Sequence, residues 1–107
     1  MCSSDLAIEE TAVLLALGGV HLAAGNAERS IESYQAAALV ARRHEAWPMV
    51  CHAWLGVGGA CVAAGCSRPA AEAYLQTADF AKLGDLESLR VEALRLAETC
   101  LPLEEPQ

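Results

Sequence analysis

The feature that most constrains the fold of this chain is that it repeats itself. Shifted by 40 residues, positions 15–45 match positions 55–85 at ten places without a gap. Leu15 falls on Leu55, Gly18-Gly19 on Gly58-Gly59, and Ala23-Ala24-Gly25 on Ala63-Ala64-Gly65. Glu32, Tyr34, Ala38 and Ala41 fall on Glu72, Tyr74, Ala78 and Ala81, and the charged pair Arg42 and Glu45 on Lys82 and Asp85. Repetition at a fixed period of this size marks a stack of equivalent units. Each unit leaves an apolar face open that only a neighbour can cover.

Each unit reads as a hairpin of two helices. The chain is 54% apolar but only 5% aromatic, so much of its apolar content is alanine, the best helix former. The first helix is expected over Ala7–Ala24, with Gly25-Asn26 supplying a left-handed turn. The second runs over Ala27–Arg43, with Ile31, Tyr34, Ala38 and Ala41 at helical spacing and Arg42-Arg43 complementing the dipole of its last turn. Pro48 suits the first turn of a third helix that continues to Ala64 and stops at Gly65. Ser67 is the expected cap of a fourth helix, opened by Pro69 and ending near Leu83 before Gly84-Asp85. A fifth runs from Leu86 to Cys100, and Pro102 ends it. The expectation is an all-α superhelix of five helices, about two and a half hairpins, over residues 7–101. Gly18, Gly58, Ala24 and Ala64 are expected at close helix approaches, and Tyr34, Tyr74, Trp54 and Phe80 in the larger gaps. Residues 102–107 read as a polar tail. Residues 1–6, Met-Cys-Ser-Ser-Asp-Leu, resemble a translated sequencing-adapter tail and read as a non-native scar, which would make the chain a C-terminal fragment.

Composition narrows the function. The net charge is −7 and the largest basic cluster is Arg42-Arg43, so the counterion-releasing face that nucleic-acid binding needs is missing. The cysteines Cys2, Cys51, Cys61, Cys66 and Cys100 are odd in number and form no C-x-x-C pair, which points to free thiols in a reducing, cytoplasmic setting. Ligand pairs at zinc spacing are missing, so neither a metal nor another cofactor is expected. Cys51 and His52 are adjacent on a helix and point apart, and no glycine run follows a phosphate-binding pattern, so an enzyme is not expected either. The stretch Ala46–Ser67 carries no formal charge, which allows a small membrane protein as an alternative. It reads better as the buried central helix of the stack.

Leu-Gly-x-x-His-x-x-x-Gly-Asn at 17–26, followed by Ser30, Tyr34 and Ala37, resembles a tetratricopeptide repeat. Trp54, Gly58, Cys61, Gly65, Ala70 and Tyr74 stand at matching places in the second copy. His21 and Cys61 depart from the family's tyrosine, and Ser30 and Thr77 from its alanine. The resemblance covers about residues 11–101 and is to the 40-residue variant with a short acidic turn. It implies a protein-binding scaffold whose first helices line a concave groove. Carried over by alignment, the groove residues are Ala12, Leu15, Gly19, Leu22 and Ala23, then His52, Leu55, Gly59, Val62 and Ala63, then Glu92 and Arg95. They are mostly apolar and lack a Lys-Asn-Arg clamp for a terminal carboxylate, so the implied partner is a helix or peptide of unknown identity. The alternative is the repeat-bearing end of a larger bacterial regulator, since such arrays resemble the sensor segments of ATPase-type transcription regulators. The apolar first helix, with Ile8, Ala12, Val13, Leu14, Leu15, Leu17, Val20 and Leu22 on more than one face, also implies self-association.

Overall fold

A computed structural model describes residues 3–101, and the described residues are all helix and tight turn. Five helices follow in order: α1 Ser3–Ala23, α2 Ala27–Arg43, α3 Trp47–Ala63, α4 Ser67–Leu83 and α5 Glu87–Cys100. Helix α1 begins at Ser3 rather than Ala7, so it runs through four of the six residues read as a scar. The polar tail at 102–107 lies outside the described residues.

Each of the four turns is closed the same way. In the first, the Asn26 N–H donates to the His21 carbonyl and the Gly25 N–H to that of Leu22, with Gly25 at φ 81°. This is a Schellman closure, which satisfies carbonyls that a helix end would otherwise leave open. It recurs as Ala46 to Ala41, Cys66 to Cys61 and Leu86 to Ala81. The residue that closes one helix then opens the next. The Asn26, Ala46, Cys66 and Leu86 carbonyls accept the first helical bonds from Ser30, Val50, Ala70 and Arg90. Sharing that residue corrects the expected cap of α4. Cys66 holds the cap place, makes no side-chain cap bond, and pushes Ser67 into the helix. Asn26 is the cap whose side chain also works, accepting from the Arg29 N–H at 3.2 Å.

Three-residue turns make consecutive helices antiparallel, and each helix packs on the ones before and after it. The result is an elongated slab of 57 × 33 × 16 Å, measured on Cα atoms. Small side chains form its interior. Ala37, Ala41, Val50, Cys51, Ala53, Ala60, Ala70, Ala81 and Ala93 are all 1% exposed or less. Small residues let helices close up, and each buried methyl contributes on the order of 0.8 kcal/mol.

The tyrosines need gaps, and glycines provide them. Tyr34 of α2 lies between α1 and α3: a Cβ added at Gly18 or at Gly56 would fall 2.7 or 2.6 Å from its ring. Gly58 serves Tyr74 in the same way. Ala24 and Ala64, expected at close contacts, are instead exposed where α1 and α3 end. Their match across the repeat reflects the shared turn. The two departures at Ser30 and Thr77 have a physical reason. Both are fully buried, and their hydroxyls donate to the Gly18 carbonyl at 2.8 Å and the Ala73 carbonyl at 3.0 Å. Ser30 thereby ties α2 to α1 where an alanine could not.

Candidate functional site

The first helices of the hairpins, α1, α3 and α5, carry all twelve residues of the expected groove, and none of the twelve is buried. Leu15, Gly19, Leu22, Leu55 and Gly59 are half-buried; Ala12, Ala23, His52, Val62, Ala63, Glu92 and Arg95 are exposed. At the centre of this face is a cavity of about 370 Å³ lined by Pro48, His52, Leu55 and Gly56 of α3, Leu89 of α5 and Tyr34 of α2. His52 and Leu55 are the groove residues that enter it. The Tyr34 ring reaches it from the second helix because Gly18 and Gly56 clear its path. Pro48, Gly56, Leu89 and Tyr34 were not anticipated here. Leu89 could have been found, because it sits one turn before Ala93 on the apolar stripe of α5. Glu92 and Arg95 are engaged with each other at 2.8 Å in an exposed ion pair, and a second such pair joins Glu87 and Arg90 at 2.6 Å. The Arg90 guanidinium holds the Glu87 carboxyl below its ordinary value. Exposed pairs of this kind contribute little to stability.

A second trough runs on the opposite side, between α2 and α4. It consists of two adjoining cavities of about 400 and 210 Å³ that share Gln35, Trp54 and Gln76. Ile31, Pro69 and Ala73 line one end, Leu39, Arg42 and Phe80 the other, with the half-buried Trp54 of α3 at the floor. Phe80 stacks on Trp47 with ring centroids 5.9 Å apart, and the Arg42 guanidinium lies 5.7 Å from the Phe80 centroid. Nothing in the periodicity announces this trough. It exists because α2 and α4 stand apart, bridged only by α3 beneath them.

The buried thiols point to packing rather than chemistry. Burial raises the Cys51 and Cys61 thiols above their ordinary value, which keeps them protonated and unreactive at neutral pH. The Cys51 thiol donates to the Thr77 carbonyl at 3.6 Å. Among the described residues, His, Cys, Asp and Glu side chains do not gather in threes as a metal would need. The charge-free run Ala46–Ser67 forms the 17-residue α3, of which Val50, Cys51, Ala53, Val57, Gly58, Ala60 and Cys61 are buried. Its apolarity is that of a core helix. Among the described residues, the helix long and apolar enough to cross a membrane, by length and composition, is α1 over Leu6–Ala23.

No family model, no curated protein and no solved structure matches this chain.

Proposed function

We propose that the chain is a protein-binding scaffold of the tetratricopeptide kind, which holds an amphipathic helix against the face formed by α1, α3 and α5. The observation that carries this reading is the open cavity bounded by His52, Leu55 and Leu89 over Tyr34. It offers a largely apolar seat for one or two anchor side chains, with His52 as a polar group in its lining. Half-buried Leu15 and Leu22 continue the apolar surface along α1. A helix lying across three parallel first helices would place its anchors at three-to-four spacing along that surface. The function is binding, with no reaction carried by the chain itself. Selection of displayed peptides against the immobilised chain tests this. The expected winners share apolar residues at helical spacing and lose at least tenfold in affinity to Leu55→Glu. Winners that lack such spacing and bind Leu55→Glu equally well would overturn it.

A second reading places the peptide in the trough between α2 and α4. It is favoured by the larger volume there and by Gln35 and Gln76, whose amides could pair with an extended backbone. Gln76→Ala separates the two readings in the same selection.

A further inference from the structure

The outer side of α1 holds a stripe of Leu6, Val13, Leu17 and Val20, between 41% and 68% exposed. Successive members are seven, four and three residues apart, so they lie along one line of the helix. The repeat says what this line is. Forty residues on, Val13, Leu17 and Val20 become Ala53, Val57 and Ala60 of α3, all 4% exposed or less. Eighty residues on, Val13 and Leu17 become Ala93 and Ala97 of α5, 2% exposed or less. In α3, Ala53 packs with Ala37 and Ala38 of the preceding α2, and Val57 clusters with Tyr34 of α2 as well as with α4; in α5, Ala97 clusters with Ala70, Ala73 and Tyr74 of the preceding α4. The stripe on α1 is therefore in the register of a docking line, and no described helix covers it.

We infer that this face of α1 binds a partner helix built like α2 and α4, with small residues at three-to-four spacing and a basic last turn, running antiparallel to α1. Two observations define that occupant. The line is continuous in register with two interfaces already formed inside the molecule, so the surface that fits it is the surface α2 and α4 offer. Charge defines the rest. Helix α1 carries exposed Glu9 and Glu10 beside the stripe, and Glu10 stands at the place of the fully buried Val50. An antiparallel helix brings its last turn to that end, where α2 has Arg42 and Arg43 and α4 has Lys82. A folded second copy does not supply this helix. Its α2 already lies between α1 and α3, its α4 between α3 and α5. Two α1 stripes packed antiparallel would bring Glu9 and Glu10 to a last turn whose basic residue is the histidine His21 rather than the arginine or lysine of α2 and α4. This surface lies away from the His52–Leu89 cavity, so the inference stands independently of the proposed function.

The test uses the full chain and a labelled synthetic peptide of residues 27–43, the α2 sequence, followed by fluorescence anisotropy. Saturable binding is expected, weakened at least tenfold by Val13→Glu or by Leu17→Glu. Both replacements fall on exposed side chains. The same loss is expected when Arg42 and Arg43 of the peptide are replaced by Glu. Val91→Glu on exposed α5 should leave binding unchanged. The inference is overturned if the peptide does not bind, or if it binds both α1 variants as tightly as the parent. It is also overturned if scattering shows the parent chain to be a dimer that Leu17→Glu splits, since a second copy then covers the face. Sedimentation of the parent chain with neutral phosphatidylcholine vesicles, abolished by Leu17→Glu, would overturn it in favour of a lipid surface.

Discussion

Gly58 and Gly59 are neighbours in α3 with opposite requirements. A Cβ at Gly58 would run into the Tyr74 ring, whereas one at Gly59 would meet nothing within 4 Å. Gly58→Leu should therefore destabilise by about 1–3 kcal/mol through overpacking. Gly59→Ala should stabilise by about 0.5–1 kcal/mol, because it removes unfolded-state freedom at a helical position at no steric cost. Thermal melting of the two variants checks both signs, and equal effects would mean that the helix face is misassigned. The same scale governs pH dependence. Cys51 and Cys61 are raised by burial above the ordinary thiol value of 9.0. The folded state thus holds its thiol protons to higher pH than the unfolded chain does. That contribution is complete below about pH 9 and is lost as pH climbs through the raised values. The melting midpoint should fall above pH 9, and the fall should be smaller in a Cys51→Ala/Cys61→Ala variant.

At the scale of the helix and its turn, the four closures are alike in hydrogen bonding but not in residue. Gly25 and Gly65 take the left-handed place in two of them; Glu45 at φ 54° and Asp85 at φ 60° take it in the others. Side chains there are strained, and Asp tolerates the region better than Glu. Glu45→Gly should raise stability by about 0.5–1 kcal/mol, and Asp85→Gly by less, as read from chemical denaturation. Gly84 does not hold the left-handed place beside it. Its φ is −90°, and a Cβ there would lie 2.5 Å from that of Trp47, so Gly84 is a contact glycine. This explains what could be read at this scale. Where helices stop was legible because a turn of fixed length leaves a fixed mark every 20 residues along the chain. Which residue caps, and which glycine is there for the turn, was not. Both depend on what a neighbouring helix places nearby, as Cys66 and Gly84 illustrate.

Across the whole molecule, the stack of five antiparallel helices follows from the 40-residue repeat and its alanine-rich faces, because equivalent units must bury equivalent surfaces. The first-helix face was legible for the same reason: residues 12, 15, 19 and 22 and their repeats keep one direction. The trough between α2 and α4 was not, because it depends on how far apart two helices that scarcely touch are held. Trp54 gave no warning, since a half-buried tryptophan and a buried one carry the same spacing. The two troughs face opposite sides of the slab, so a bound ligand distinguishes them without ambiguity. The direct measurement is a methyl NMR spectrum of the chain, with and without a saturating peptide selected for binding to it. Binding across the first helices requires the largest shifts at Leu55, Leu89, Leu15 and Val62, with Ile31 and Leu39 unmoved. Shifts confined to Ile31 and Leu39, with Leu55 and Leu89 unchanged, would contradict a scaffold that binds through the face of α1, α3 and α5.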